Sequence, residues 1–104
     1  MSNAERPITH AVIVETELQF SLPDLGRACG VGAELIEALV HEGVLAPTGG
    51  SPSQWRFAGS ELSRARRAAR LMRDLDLGAP GAALVLDLFE QIESLRSQLR
   101  RLGG

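Results

Sequence analysis

The sequence contains a single cysteine, Cys29, among its 104 residues, which excludes an intramolecular disulfide and a cysteine-based zinc cluster. We interpret Cys29 as a small apolar residue of a helix rather than as a reactive thiol. No apolar run approaches the roughly 18 residues that a membrane-spanning helix requires, so no membrane span is expected. The first residues also lack the basic and apolar regions of a signal peptide, and we therefore expect a cytoplasmic protein.

Residue patterns typical of catalysis and of cofactor binding are equally scarce. The two histidines, His10 and His41, stand apart from any cysteine and from any paired carboxylates. The pair Gly49 and Gly50 lacks the lysine and the following helix of a phosphate-binding loop. The sequence therefore predicts a protein that is not an enzyme and that holds no cofactor or metal.

Lysine is absent, and all eleven basic residues are arginines. The formal net charge is −2, whereas a dedicated nucleic-acid-binding domain is usually basic. The apolar fraction of 44% is ordinary for a folded protein, and the length suits one domain with a small core.

The first half of the chain predicts a strand followed by two short helices. Apolar and polar residues alternate from His10 to Phe20, as in a half-buried strand. Ser21 favours the start of a helix over about Pro23–Cys29, since serine caps helices and proline fits the first turn. After a glycine-containing turn, apolar residues at helical spacing predict a second helix over about Ala33–Glu42.

The second half predicts a wing and two longer helices. A turn-forming run over 47–53 precedes a short strand over Gln54–Phe57. The N-terminal strand is expected to pair with this short strand. The aromatic rings of Trp55 and Phe57 are expected to pack the wing against the core. Helix three is expected over about Glu61–Leu75, with an inward face that ends at Leu75. Helix four is expected to run from Pro80 to about Leu102. Its apolar seam has the spacing of a short coiled coil: Val85, Leu88, Ile92, Leu95, Leu99 and Leu102.

These elements together predict a mostly α-helical winged helix-turn-helix with a small β hairpin and a long C-terminal helix. We expect a flexible segment over 1–9, the winged helix-turn-helix over 10–59 and a two-helix extension over 60–104, as one compact domain. The last helix is expected to pack on helix three and to leave its distal seam partly exposed. That exposure favours a symmetric homodimer through Ile92, Leu95, Leu99 and Leu102.

The second helix carries acidic side chains where a helix-turn-helix reads DNA. It has none of the Arg, Lys, Asn or Gln residues that read base edges. A carboxylate-rich face repels DNA and suits a basic protein surface, although plain solubility would explain it equally well. The candidate partner-binding residues on this face are Glu34, Glu37, His41 and Glu42.

Helix three carries charge of the opposite sign. Four arginines share one side of it and could follow a phosphate backbone, with Arg56 of the wing as a further contact. A solvated face of an amphipathic helix is the simpler interpretation, which we favour. The candidate phosphate contacts on the helix are Arg66, Arg67, Arg70 and Arg73.

Three segments in this order resemble the chaperone modulator family (CbpM-like), a branch of the mercury-resistance-regulator (MerR-type) winged helix-turn-helix proteins. They are Phe20–Val31, Gly43–Pro47 and Trp55–Phe57. The break over Leu75–Gly81 and the Leu/Ile-rich last helix are similar to that family as well. The resemblance covers about residues 10–102, and it is the ordered set of features that is specific.

The resemblance implies a regulator that binds the J-domain of a DnaJ-like co-chaperone and inhibits it. J-domains present a basic helix to Hsp70, so an acidic surface is a physically sensible competitor. MerR-type DNA binders typically carry Arg and Tyr on the second helix, where this chain has Glu37 and Ala38. We therefore expect weak or no sequence-specific DNA binding, and a small MerR-type DNA-binding transcriptional regulator is the alternative.

Overall fold

The structure, a computed structural model, describes residues 18–103 of the chain. It confirms the predicted fold class, a mostly helical protein with a small two-stranded sheet and a long last helix. The predicted strand residues from His10 to Glu17 and the predicted flexible segment 1–9 lie outside the described residues. The elements in chain order are β1 (Gln19–Phe20), α1 (Leu22–Cys29), α2 (Ala33–His41), a 3₁₀ turn (Pro52–Gln54), β2 (Phe57–Ala58), α3 (Ser60–Asp74) and α4 (Ala79–Arg101).

Helix α1 begins where its capping residues predict. The Ser21 side-chain oxygen accepts a hydrogen bond from the backbone N–H of Asp24 at 3.2 Å, which satisfies one of the unpaired donors of the first turn. Asp24 does not complete the reciprocal capping box, because its carboxylate pairs with Arg27 one turn later. A single side-chain hydrogen bond, from the Asp24 N–H to Ser21, therefore caps the start of α1.

The turn between α1 and α2 depends on two glycines. Gly30 adopts a left-handed conformation with φ of +72°, which a side chain would strain. The N–H of Val31 then bonds back to the carbonyl of Gly26 at 2.9 Å. A Cβ on Gly26 would lie 2.9 Å from the Val31 oxygen, so only glycine permits this close return of the chain.

Strand β1 joins the wing, as the sequence predicts. It pairs antiparallel with β2, and Phe20 lies opposite Phe57 in the register. Two residues per strand make a very short sheet, so its stability comes from packing on the helices beneath it.

The predicted bounds of the wing strand are wrong. Residues Pro52–Gln54 form a 3₁₀ turn, and β2 covers only Phe57–Ala58. Pro52 has no N–H to donate to a strand and suits the first position of a helical turn. Ahead of β2, the wing is closed by one isolated bridge between Thr48 and Arg56.

One apolar cluster joins every helix and the wing. Its largest fully buried side chains come from α1, α2, β2 and α4. The buried residues of helix α3 are the alanines Ala65, Ala68 and Ala69, whose small side chains let its neighbours approach closely. Its larger apolar residues are partly buried and pack against the cluster: Leu62, Leu71 and Met72. Leu75, expected on the inward face of α3, lies beyond its last turn and is 58% exposed. The large buried residues are Phe57, Leu25, Ile36, Leu39 and Leu86.

Helix α4 has two separate apolar faces. The face that packs on the core consists of Ala79, Ala82 and Leu86, and not of the predicted seam. An α-helix turns roughly 100° per residue, so Leu86 points in a different direction from the seam residues Val85 and Leu88. The second face remains exposed along the whole helix rather than only at its distal end. We call it the α4 stripe: Leu84, Leu88, Ile92, Leu95, Leu99 and Leu102, which are between 44% and 83% exposed.

Replacing Phe57 with alanine should lower the free energy of unfolding by about 3–5 kcal/mol, since its ring is fully buried. Trp55 is only partly buried and meets Phe57 edge to face, with ring centroids 6.1 Å apart. Trp55→Ala should therefore cost less, about 2 kcal/mol. Urea unfolding measures both values.

The exposed Leu75→Ala is the control and should change the free energy of unfolding by less than about 0.5 kcal/mol. A larger loss for Trp55→Ala than for Phe57→Ala would contradict this placement of the two rings.

Candidate functional site

Helix α2 separates its apolar and acidic residues onto opposite sides. Ile36 and Leu39 are fully buried in the core. The other side faces water, with Glu34 and Glu42 exposed and Glu37 partly exposed. We call this side the acidic face of α2; His41 is its fourth member.

The acidic face is held together by helix geometry and is strongly negative. Glu37 and His41 are one turn apart, with Oε2 and Nε2 separated by 3.8 Å. Glu34 lies in the first turn, where the helix dipole favours a negative charge. Glu42 caps the other end of the helix. Three carboxylates and one imidazole thus form a surface that attracts cations and repels a phosphate backbone.

Two charged residues of α3 fix the segment that follows α2. The Glu61 Oε1 atom accepts a hydrogen bond from the Ala46 N–H at 2.8 Å. The Arg64 Nε atom donates to the Val44 carbonyl at 2.7 Å, and the same guanidinium pairs with Glu90 of α4. These contacts hold the segment after α2 against α3 and α4, and the burial of Ile36 and Leu39 sets the orientation of the acidic face.

Sequence reasoning missed Glu61 and Arg64 as positioning residues. Both look like ordinary solvated charges on an amphipathic helix. Their partners are backbone groups far along the chain, and spacing within one helix carries no signal of such contacts.

The arginines of α3 occupy a separate surface. Arg66, Arg67 and Arg70 are exposed, and no carboxylate of residues 18–103 lies within ion-pairing distance of them. Arg73 pairs with its neighbour Asp74 at 3.3 Å. In the part of the chain that the structure describes, no ion pair joins α2 to α3, so neither charged face neutralises the other.

The wing arginine, Arg56, is tied to its own strand. Its Nη1 atom donates to the Trp55 carbonyl at 2.8 Å, and its backbone exchanges hydrogen bonds with Thr48. The side chain remains exposed. No described contact links it to the α3 arginines.

Cys29 lies half-buried on α1, close to Arg66. Burial raises the pKa of the Cys29 thiol, and the nearby Arg66 guanidinium offsets part of that rise. The neutral thiol is therefore favoured, and a neutral thiol is a poor nucleophile. This environment agrees with a packing role for the residue.

Within residues 18–103, no group of three His, Cys, Asp or Glu residues is placed to hold a metal ion. None of the described helices is long and apolar enough to cross a membrane.

Comparison with known proteins finds one family. The model of the MerR HTH family regulatory proteins matches residues 20–103. The chain is 35% identical over 97 residues to the chaperone modulatory protein CbpM of Coxiella burnetii, across 93% of this chain and 92% of that relative. It is 32% identical over 81 residues to the chaperone modulatory protein CbpM of Pseudomonas putida, across 78% and 80% of the two chains. The protein of the same name from Pseudomonas entomophila is 31% identical over 81 residues.

Replacing Arg66 with glutamine should raise the pKa of Cys29 further, because the cation that stabilises the thiolate is lost. The pH profile of alkylation by iodoacetamide should shift to higher pH, so that labelling at a fixed mildly alkaline pH becomes slower. Arg101→Gln, on the last turn of α4, should leave the profile unchanged. Identical profiles for wild type and Arg66→Gln would contradict the placement of Arg66 beside the thiol.

Proposed function

This chain belongs to the family of chaperone modulatory proteins built on the MerR-type helix-turn-helix, and from that membership we propose that it is a non-enzymatic inhibitor of a DnaJ-like co-chaperone. In this proposal the chain acts in the cytoplasm by binding the J-domain of its partner. The names of its relatives support a chaperone or co-chaperone as the partner. Our proposal adds that this partner is bound through its J-domain and is inhibited.

The observation that carries the proposal is the acidic face of α2. In a helix-turn-helix this position reads DNA, and here it presents Glu34, Glu37 and Glu42. A basic helix of a J-domain is a complementary partner for such a face. Covering that helix would keep it from its own chaperone, which is inhibition by occlusion.

The fixed orientation of α2 makes the face suitable for recognition. Glu61 and Arg64 hold the segment after α2 by contacts to Ala46 and Val44. A surface that is already ordered loses little conformational entropy when it binds. Long-range attraction between the acidic face and a basic partner would also speed their association at low salt.

Reversing two charges, with Glu34→Arg and Glu37→Arg, should raise the dissociation constant for the J-domain by about tenfold or more and flatten its salt dependence. Both side chains point away from the core, so the fold should survive. Calorimetry with the purified J-domain at several salt concentrations measures both effects.

The matched control reverses two exposed carboxylates elsewhere, with Asp24→Arg and Asp74→Arg, and changes the net charge equally. It should bind nearly as the wild type does. If the Glu34 and Glu37 reversal binds as tightly as wild type while remaining folded, the acidic face is not the docking site.

We keep DNA binding as a second candidate because Arg66, Arg67 and Arg70 lack ion-pair partners within residues 18–103. Such a stripe would give weak, salt-sensitive attachment to any phosphate backbone. It does not supply base recognition, and the acidic face of α2 opposes it. A nanomolar duplex site at physiological salt that Glu37→Ala weakens would favour this second function.

We also propose that two copies associate through the α4 stripe. An exposed apolar surface that runs along a whole helix is typical of an interaction site. Charge along α4 favours an antiparallel arrangement, because the acidic residues precede Leu95 and the basic residues follow it. Centred on Leu95, such a pair places Leu88 opposite Leu102 and Ile92 opposite Leu99. The complementary charges are Asp87, Glu90 and Glu93 before the centre, and Arg96, Arg100 and Arg101 after it.

Replacing Leu95 and Leu99 with glutamate should lower the mass in sedimentation equilibrium from dimer to monomer, because each copy would bury two charges in the apolar contact. Leu75→Glu, an exposed leucine outside the α4 stripe, is the control and should leave the mass unchanged. A wild-type chain that sediments as a monomer at micromolar concentration would contradict the dimer.

The orientation has its own test in a Cys29→Ser background. A single cysteine at position 102 meets its counterpart only in a parallel pair. An antiparallel pair should therefore cross-link poorly through Leu102→Cys, and well when Leu88→Cys and Leu102→Cys chains are mixed.

A further inference from the structure

A trough runs along the outer side of α3 and crosses to α4. It consists of two shallow concavities of about 380 and 420 Å³ that share Arg67. The first is basic and contains Arg66 and Arg70. The second lies between the two helices and contains Phe89 and Glu93. We call the two together the α3 trough.

The basic end of the α3 trough carries repulsion that a bound anion would relieve. Arg70 is four residues after Arg66 and three after Arg67, so its side chain is a neighbour of both on the helix surface. Like charges at this spacing destabilise a helix, and no carboxylate of residues 18–103 pairs with them. Carboxylates spaced one helical turn apart would match this row of guanidinium groups.

The other end of the α3 trough decides which kind of anion fits. Phe89 is 43% exposed and offers an apolar surface. Glu90, Glu93 and Arg96 lie beside it, but Glu90 pairs with Arg64 and Glu93 with Arg96, so their charges are compensated and offer little attraction to a phosphate backbone that continued in that direction. A protein segment can place carboxylates at the arginines and an apolar side chain on Phe89. A nucleic-acid backbone would meet these paired charges and the apolar ring there.

We propose that the α3 trough is a second docking surface, which takes an acidic segment of a protein partner with one large apolar side chain beside its carboxylates. Its charge is opposite to that of the acidic face of α2, so the two surfaces select different partners or different segments of one partner. Arg66, Arg67 and Arg70 bind the carboxylates, and Phe89 contacts the apolar side chain.

The test uses fluorescence anisotropy with a short labelled peptide of glutamates around one leucine. Arg66→Gln with Arg70→Gln should weaken binding by about tenfold, since two charge-assisted contacts are lost. The matched control, Arg27→Gln with Arg56→Gln, removes the same charge from exposed positions outside the α3 trough and the α4 stripe, and should bind as wild type does. Phe89→Ala should weaken binding of the leucine peptide and leave unchanged a peptide with serine in its place.

Three outcomes would overturn the proposal. One is equal affinity in wild type and in the Arg66 and Arg70 variant. Another is a DNA duplex that binds more tightly than the peptide at matched ionic strength and through the same two arginines. The third is an equal loss of J-domain affinity in that variant, which would make the α3 trough part of the surface proposed above. Unchanged J-domain binding supports two separate docking surfaces.

Discussion

The burial of one side of α2 is the interaction on which the rest of the structure depends. Ile36 and Leu39 are fully buried, together with Leu25 and Phe57. Apolar burial is the main source of stability in a core this small, so α2 cannot rotate without exposing those side chains. The opposite side is thereby forced outward, and that side carries the carboxylates. The chemistry of the proposed site is thus set by packing on the other side of the same helix.

Two contacts from α3 complete this constraint. Glu61 and Arg64 hold Ala46 and Val44 in the segment after α2, while Arg64 also pairs with Glu90 of α4. The helix that carries the acidic face and the helix proposed for self-association are therefore joined through one guanidinium. In a dimer, the two acidic faces would therefore be held at a fixed distance and orientation to each other.

Patterns local in sequence predicted most of the fold. Ser21, Gly30 and the 3.6-residue periodicity of α2 act within a few residues, and their predictions were confirmed. The wing strand was harder: the 3₁₀ turn that begins at Pro52 includes Gln54, the first residue of the expected strand, and the observed strand is Phe57–Ala58. The predicted core face of α4 was wrong because leucines occur on both sides of the helix and alanines complete the buried side: Leu86 and Ala82 are buried, whereas Leu88 is exposed. Periodicity ranks large residues first and overlooks small ones that allow close approach.

The candidate site was predictable in part for the same physical reason. The composition of α2 places Glu34, Glu37 and Glu42 on one side, and the structure places them outward. The contacts that orient the helix depend on tertiary packing and could not be read from spacing. Whether a charged face binds a partner or only keeps the protein soluble depends on that partner, whose surface lies outside this chain.

The central claim is that the acidic face of α2 contacts a basic helix of a J-domain. Titrating the ¹⁵N-labelled chain with unlabelled J-domain and following its amide resonances tests this most directly. We expect the largest shifts at Glu34, Glu37, His41 and Glu42, with loss of those shifts at high salt. Shifts confined to the arginines of α3 or to the α4 stripe, with α2 unchanged, would contradict the claim.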